Sequence, residues 1–469
     1  MRSDFELTEQ SSPSIKQPLN FVPLILTFFA INVIFIYLVY AKNFVFGSKA
    51  GNWDYPFFKK IDSIPLWIPV VVMLLLGLAI YIGSRMIQTH EKLVLLGWYP
   101  VAVVIQLLIR SVYPHSLGDI VGSDTSNSFY TVAIKYSPIE ILSRFSDLAL
   151  TFPLHARTNM PGKILLFQFF KLFTVSPQLM GYMIILVSAL GALLLYYICK
   201  LLFHDKQAAF YALILYAFIP CKLFFYPILN TVTPLFILLC LFLFLVYIER
   251  KHVLFLWLLG GALYLLVLFE PTPLVTGIIF IGILIHAIGE NKISKKDFWA
   301  LLIFPALAFV LVYVFFRVFF SFDLLQSFQY VLQDAINFNL TDKRDYWIWI
   351  GENPKEFFFS TGIPIMILFI YLTSCMISQL HVFKYHLTRW SMENLYILSL
   401  VVTLFTVLFL GINRGEITRL WIYLAVFFQI PAAFFLARIE YSKVVFFFVA
   451  GTLVIQSLLT LQRVGFIIP

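Results

Sequence analysis

Charged side chains are scarce in this sequence: they make up 12 % of the 469 residues, and only 24 residues are Asp or Glu. Soluble domains carry about 25 % charged residues, so a water-soluble fold of this length would lack the polar surface to cover its core. Apolar residues make up 61 % of the chain, and the mean hydropathy is +0.91. Because only a lipid bilayer accepts so much outward-facing apolar surface, the composition predicts an integral membrane protein.

Cysteine is also scarce, and its four positions lie in or at the edge of apolar runs: Cys199, Cys221, Cys240 and Cys375. None has a partner at metal-ligand spacing, and a disulfide framework needs cysteines in exposed loops. The net charge of +9 does not indicate a nucleic-acid partner, because the basic residues sit in short segments between apolar runs. Such an excess of Lys and Arg is typical of cytoplasmic loops.

Crossing the hydrocarbon core takes about 20 apolar residues in a helix. The sequence offers about thirteen runs of that order, which predicts an all-α polytopic fold. The runs lie at 21–40, 65–82, 93–112, 178–200, 207–226, 233–248, 253–269, 273–288, 299–320, 361–379, 395–411, 417–437 and 443–461. The first run is too long for a signal-peptide core and no cleavage site follows it, so it is predicted to stay as a span behind a cytoplasmic tail, residues 1–20. The pair flanking Glu270 is also compatible with one broken helix.

Alternating these helices from a cytoplasmic N-terminus places six short loops inside. Those loops carry thirteen Lys or Arg residues, whereas the short outside loops carry one, Arg414. This asymmetry fits the positive-inside rule. Two long segments, 113–177 and 321–360, then fall outside. In the first, Ser137-Pro138 is typical of a helix start, and the apolar spacing predicts an amphipathic helix over 138–151 that lies on the membrane.

Two carboxylates directly follow the third predicted helix, Asp119 and Asp124, in Gly-Asp and Gly-Ser-Asp-Thr contexts. One of them is suited to act as a general base, while the other positions a hydroxyl or a metal. A solvated turn explains the same residues without catalysis.

The other unusual polar residues fall at the predicted outer ends of the helices, where ionisable groups are costly and usually functional. Arg and Lys suit the oxygens of a phosphate. Lipid headgroups, helix caps and an i, i+3 pair between Glu416 and Arg419 are the simpler readings. The predicted substrate-binding residues are His155, Arg157, Asn159, Lys163, Glu270, Arg414, Glu416 and Arg419.

This order of elements resembles the GT-C superfamily of polytopic glycosyltransferases, to which protein O-mannosyltransferases and bacterial aminoarabinose transferases belong. In that family a large first outer loop starts with acidic residues, runs through an amphipathic helix and reaches a His-Pro-Pro-Gly-like stretch. Here Asp119 and Asp124, residues 138–151 and Thr158-Asn159-Met160-Pro161-Gly162 match those elements in order. Asn159 and Met160 stand where the family has His and the first Pro. The resemblance covers 93–469, and the helices within 21–92 are an addition.

The resemblance implies transfer of a sugar from a polyprenyl-phosphate donor to a lipid, glycan or protein acceptor on the outer side of the membrane. Asp124, or else Asp119, would be the base, and Arg157, Lys163, Arg414 and Arg419 would hold the phosphate. No cofactor is predicted outright, and a divalent metal is left open. A flippase for lipid-linked sugars, an O-antigen ligase or polymerase, and a structural membrane subunit are the alternatives. The Phe- and Lys-rich composition favours a bacterial inner membrane.

Overall fold

A computed structural model describes residues 21–59, 63–379 and 387–469. The predicted cytoplasmic tail, residues 1–20, lies outside the described residues, as does Lys384 of the fifth predicted inside loop. The structure is 78 % helical, and the sheet found in the described residues is a two-stranded hairpin. The chain is therefore an all-α polytopic membrane protein, as its composition predicts.

The first part of the chain forms three long helices and the hairpin. Their bounds are α1 (Phe21–Tyr40), β1 (Gly47–Ser48), β2 (Trp53–Asp54), α2 (Trp67–Met86) and α3 (Glu91–Arg110). The strands pair antiparallel, with Gly47 opposite Asp54. Gly47 has φ of 93°, and a Cβ there would lie 2.4 Å from the Trp53 carbonyl oxygen, so this position requires glycine.

The long segment 113–177 folds into six short helices. They are α4 (Leu117–Gly122), α5 (Asp124–Lys135), α6 (Pro138–Ser143), α7 (Phe145–Ala149), α8 (Leu154–Arg157) and α9 (Gly162–Lys171). The helix predicted over 138–151 starts after its Ser137 cap, as expected, but it breaks at Arg144, where φ is −129°. The residues of its apolar face are buried in a core formed with α5 and α9: Ile141, Leu142, Phe145, Leu148 and Ala149. That face therefore packs on protein, where the prediction placed it on lipid.

The middle of the chain forms seven helices and two 3-10 turns. The bounds are α10 (Pro177–Phe203), α11 (Lys206–Ala217), α12 (Pro220–Phe225), α13 (Thr233–Arg250), α14 (Leu254–Phe269), α15 (Gly277–Gly289) and α16 (Lys295–Phe320), with 3-10 turns at Leu229–Thr231 and Thr272–Thr276. Every residue of 208–217 is buried, which places α11 at the centre of the bundle. Glu270 has extended backbone and separates α14 from the helices that follow.

The last part of the chain adds seven helices and one 3-10 turn. They are α17 (Leu324–Thr341), α18 (Tyr346–Thr361), α19 (Ile363–Gln379), the 3-10 turn Leu387–Arg389, α20 (Met392–Leu410), α21 (Ile417–Leu420), α22 (Ile422–Arg438) and α23 (Ser442–Arg463). Helices α18 and α19 meet at 111°, and Gly362 between them has φ of 113°. The predicted run 417–437 is split at Trp421, whose φ is −105°.

Ten helices in the described part of the chain are long and apolar enough to cross a membrane, and the bent pair α18–α19 makes eleven if it counts as one span. The apolar helices α14 and α22 have 16 and 17 residues, which is less than the about 20 that a span needs. Each of the thirteen predicted runs contains a helix. How many of them cross the membrane stays a prediction.

The connections gather at two ends of the bundle. We call one the loop end, which holds the hairpin, 113–177, 226–232, 270–276, 321–361 and 411–421. We call the other the short-loop end, which holds 87–90, 204–205, 251–253, 290–294, 387–391 and 439–441. Salt bridges join the basic residues of the short-loop end across neighbouring loops, as between Lys206 and Glu91 at 3.2 Å and between Arg438 and Glu393 at 3.1 Å. The predicted inside loops thus share one end of the molecule.

Candidate functional site

A glycine lets the loop segment approach the bundle closely at the loop end. Gly162 opens α9, and a Cβ on it would lie 2.5 Å from the Leu268 carbonyl oxygen and 2.7 Å from the Cα atom of Phe269. Only a residue without a side chain permits this contact. The close approach brings Lys163, the next residue, to Glu270 at the end of α14. Gly162 of the Pro161-Gly162 pair therefore has a packing role.

Lys163 and Glu270 form a buried ion pair. The Lys163 Nζ atom lies 2.9 Å from the Glu270 Oε2 atom, and the two side chains are 1 % and 7 % exposed. Glu270 Oε2 also accepts hydrogen bonds from Thr233 Oγ1 at 2.6 Å and Asn230 Nδ2 at 3.3 Å. Lys163 donates a second bond to Asn159 Oδ1 at 2.9 Å. Burial lowers the pKa of Lys163, and Glu270 opposes that shift.

A second buried network joins Glu416 to two arginines. Arg344 Nη2 lies 3.0 Å from Glu416 Oε1, and Arg419 Nη2 donates to Glu416 Oε2, as the i, i+3 spacing predicts. Gly415 and Glu416 have φ of 81° and 57°, and this turn points the carboxylate inward. Burial raises the pKa of Glu416, but Arg419 and Arg344 outweigh it, so the net shift is downward. Glu416 thus forms ion pairs with both arginines.

Arg414 lies beside this network with no carboxylate within 4 Å among the residues that the structure describes. Its Nε donates to the Gly411 carbonyl at 3.2 Å and its Nη1 to the Arg344 carbonyl at 2.9 Å. The guanidinium lies 5.4 Å from the centre of the Tyr346 ring. Its positive charge is therefore bonded to backbone but not neutralised by an acidic side chain.

His155 lies between the two networks. Burial, with a smaller effect of Arg419, lowers the pKa of His155 to about 4, whereas Glu416 and a hydrogen bond to the Thr125 backbone oppose the shift. Lys163 also contributes to this shift. The imidazole is thus neutral at physiological pH, in electrostatic contact with both ion-pair networks. Six predicted substrate-binding residues, His155, Asn159, Lys163, Glu270, Glu416 and Arg419, meet in one cluster, and Arg414 adjoins it.

The two predicted catalytic carboxylates lie outside this cluster. Asp119 is the third residue of α4 and closes a capping box with Ser116, whose hydrogen bonds lower the pKa of Asp119. Asp124 is exposed at the start of α5 and accepts a hydrogen bond from Thr131. Asp124 is the nearer of the two in sequence to Thr125, the backbone partner of His155. Arg157 is also apart, 3.5 Å from Asp334 Oδ2.

Sequence reasoning missed Arg344 and the residues of the hairpin that pack around it. Arg344 is 3 % exposed, and its guanidinium lies 5.0 Å from the Trp53 ring of the hairpin. Asn52 Nδ2 donates to the Lys343 carbonyl at 3.0 Å, and Trp349 Nε1 donates to the Gly51 carbonyl at 3.2 Å. The first loop of the chain is thus part of the site. The signal in its sequence for such a role is weak, namely a high density of aromatic residues.

Four buried polar atoms in this region have no hydrogen-bond partner in the described structure: Tyr55 Oη, Arg344 Nε, Arg419 Nε and Glu356 Oε1. The other carboxylate oxygen of Glu356 accepts from Thr418 Oγ1 at 3.0 Å. Burial raises the pKa of Tyr55 well above its usual value, and Glu356 and Glu416 add to that shift. Unpaired buried polar atoms are rare in proteins, and here they surround the second network.

A metal site does not emerge from the described residues, which contain no group of three His, Cys, Asp or Glu side chains placed to hold an ion. A partly open cavity of about 220 Å³ lies at the short-loop end, lined by His204, Glu249, His286 and Lys292 among others. It is remote from the charged cluster.

A scan against protein-family models finds no matching family, and searches of curated proteins and of solved structures find no match.

Proposed function

We propose that this chain is a membrane glycosyltransferase of the GT-C kind, which moves a sugar from a polyprenyl-phosphate donor to a lipid, glycan or protein acceptor at the loop end. One observation carries the proposal. Lys163, Arg344, Arg414 and Arg419 gather at one end of an otherwise apolar bundle, together with the neutral His155. The loop end would face the outside of a bacterial inner membrane, which the distribution of Lys and Arg supports.

One cation of this cluster has no acidic partner in the described residues. Two buried carboxylates, Glu270 and Glu416, serve three of the cations, and Arg414 has neither. Asp342 adds a third carboxylate 3.4 Å from Arg344, but its side chain is 38 % exposed. An anionic ligand would pair with Arg414, and arginine binds phosphate oxygens in a two-pronged geometry. Polyprenyl phosphate, the leaving group of the proposed reaction, is such an anion.

The acceptor needs a base as it attacks. In the proposed step Asp124 takes the proton of the acceptor hydroxyl, and the hydroxyl oxygen forms a bond to the anomeric carbon of the sugar. The bond between that carbon and the phosphate oxygen breaks, and its electron pair leaves with polyprenyl phosphate. The cations of the cluster stabilise the charge that develops on the leaving group. Asp124 is preferred to Asp119 because Asp119 is engaged in its capping box.

The test is transfer by the purified protein in nanodiscs. We would supply radiolabelled undecaprenyl-phosphate glucose, mannose and aminoarabinose with a panel of acceptors, and follow the release of undecaprenyl phosphate. Asp124→Asn is expected to lower kcat by about 100-fold or more, the usual contribution of a general base, with little change in donor KM. Asp119→Asn is the matched control, because it alters an exposed carboxylate on the same segment.

Other outcomes would change the proposal. Donor binding without release of undecaprenyl phosphate, whatever the acceptor, would favour the flippase alternative. Full turnover in both aspartate variants would place the base elsewhere in the chain while leaving the transferase activity standing.

A further inference from the structure

The partly open cavity of about 220 Å³ at the short-loop end lies at the opposite end of the bundle from the charged cluster. Three of its apolar lining residues, Leu202, Leu245 and Ile283, are buried, whereas its polar lining residues His204 and Glu290 are exposed. The cavity thus has an apolar inner part and a polar rim. One water needs about 10–15 Å³ of such space, so the cavity has room for a small organic group.

Helices α10, α13 and α15 all end at this cavity. Residues of their last turns line it, among them Leu202, Glu249 and His286. The last carbonyl groups of a helix have no N–H partner within that helix, and the aligned peptide dipoles place partial negative charge at this end. Three helix ends therefore produce a field at the cavity that favours a positively charged ligand.

The polar side chains of the cavity add hydrogen-bond acceptors. Glu249 and Glu290 both line it, and Glu290 has no basic side chain within 4 Å among the residues that the structure describes. The Nδ1 atom of His286 lies 3.2 Å from the Trp390 carbonyl oxygen, which only accepts, so Nδ1 carries the proton. In the neutral imidazole the Nε2 atom of His286 is then an acceptor.

The lysines beside the cavity already have partners. Lys292 lies 3.2 Å from the Glu249 carboxylate. Lys251 donates to the Lys292 carbonyl, and its Nζ atom lies 3.7 Å from Asp297 Oδ2. The acceptors of the cavity, and the carboxylate of Glu290 above all, are therefore not matched by the donors around them.

We propose that this cavity binds a primary alkylammonium group, with Glu290 as its ion-pair partner. An ammonium has three N–H donors, which suits a rim of carboxylates, an imidazole nitrogen and helix ends. The buried apolar residues would cover the methylene carbons next to the nitrogen. Such a group is offered by the head group of an ethanolamine phospholipid and by a soluble diamine. The site is independent of the proposed function, because it shares no residue with the charged cluster.

Native mass spectrometry tests the lipid as the source of the ammonium group. The purified protein in detergent micelles is mixed with equal amounts of dioleoyl phosphatidylethanolamine and dioleoyl phosphatidylcholine, which differ only in the methylation of the head-group nitrogen. The trimethylated nitrogen has no N–H donor. We therefore expect the ethanolamine lipid to bind at least about tenfold more tightly, as the loss of a charge-assisted hydrogen bond implies.

Putrescine tests a soluble amine as the source. The thermal unfolding midpoint is measured in lipid-free micelles with increasing putrescine, and sodium chloride at the same ionic strength is the control. A ligand that binds only the folded protein raises the midpoint, so a rise beyond that in sodium chloride identifies a soluble amine as a ligand. A preference for phosphatidylethanolamine without this rise identifies the lipid head group. Either result supports the site.

Glu290→Gln separates the cavity from general effects of the protein surface. We expect it to weaken binding of the amine at least about tenfold. Glu440→Gln is the matched control, because Glu440 is an exposed carboxylate of the same end outside the cavity, and we expect parent affinity. Glu290→Asp keeps the charge and guards against a folding defect in Glu290→Gln, and we expect intermediate affinity.

The site is overturned if the two phospholipids bind equally and putrescine stabilises no more than sodium chloride. It is also overturned if Glu290→Gln binds the amine as tightly as Glu440→Gln does.

Discussion

Acid–base pairs occur at both ends of the helix bundle, and the most deeply buried pairs are those of the candidate site at the loop end. At the loop end, Lys163 and Glu270 are 1 % and 7 % exposed, and Arg344 and Glu416 are 3 % and 11 % exposed. At the short-loop end, Lys292 and Glu249 are 42 % and 34 % exposed, and Arg438 is 54 % exposed. A buried charge has a high desolvation free energy, whereas an exposed charge stays hydrated and can hold a helix end at the membrane surface with little such cost. Burial, more than residue type, separates the candidate site from the anchors.

The largest effect is expected for Lys163→Met. Removing the cation leaves the Glu270 carboxylate buried without its partner, which destabilises proteins by roughly 3–5 kcal/mol. Thermal unfolding in detergent micelles would measure the change. The double variant Lys163→Met with Glu270→Gln keeps the hydrogen-bonding shape of residue 270 and should recover most of the loss. A single variant as stable as the parent would mean that the pair is well solvated, against the comparison drawn above.

A smaller effect is expected from the protonation of His155. Its pKa in the folded protein is about 4, against about 6.5 in an unfolded chain. As the pH falls, the unfolded state therefore binds the proton first. The stability that the neutral imidazole contributes is fully present above pH 6.5 and is lost as the pH falls toward 4. By pH 4.5 about 2.5 kcal/mol of this stability is lost. Unfolding midpoints of the parent and of His155→Gln at pH 7 and pH 4.5 test this: the parent should lose more stability on acidification, and equal losses would contradict the burial of His155.

The smallest effect is expected at the short-loop end. Lys292→Met breaks the 3.2 Å pair with Glu249, but exposed pairs contribute less than about 1 kcal/mol. Unfolding in the same micelles should show nearly the parent midpoint. A loss as large as that of Lys163→Met would remove the distinction between the two ends.

Local sequence was sufficient for the helices and for part of the site. Apolar runs located the long helices because a helix of membrane length needs an unbroken stretch of apolar residues. The pairing of Glu416 with Arg419 followed from their i, i+3 spacing, and the Pro-Gly pair before Lys163 marked a real contact. Rare charges at helix ends pointed to most members of the cluster. These signals share one property: each is encoded within a few neighbouring residues.

The rest depended on contacts between distant segments. Arg344 pairs with Glu416, 72 residues away, and nothing in the sequence around it signals that partner. The apolar residues of 138–149 read as a membrane-facing stripe because periodicity gives a face and not the neighbour that covers it. In the structure the loop segment has enough apolar residues to form a core of its own. The same limit hid Trp53 and Tyr55. Both residues lie in the loop between α1 and α2, which is outside the part of the chain that the family resemblance covers.

The contact between the hairpin and the residues around Arg344 has a consequence for biosynthesis. Asn52 meets the Lys343 carbonyl across 291 residues of chain, so the ribosome must translate most of the protein, and the intervening helices must enter the membrane, before the two can touch. Until then Trp53 cannot pack on the Arg344 guanidinium, and Arg344 cannot pair with the Glu416 carboxylate. Closure of the charged cluster by the hairpin is accordingly a late event in membrane insertion.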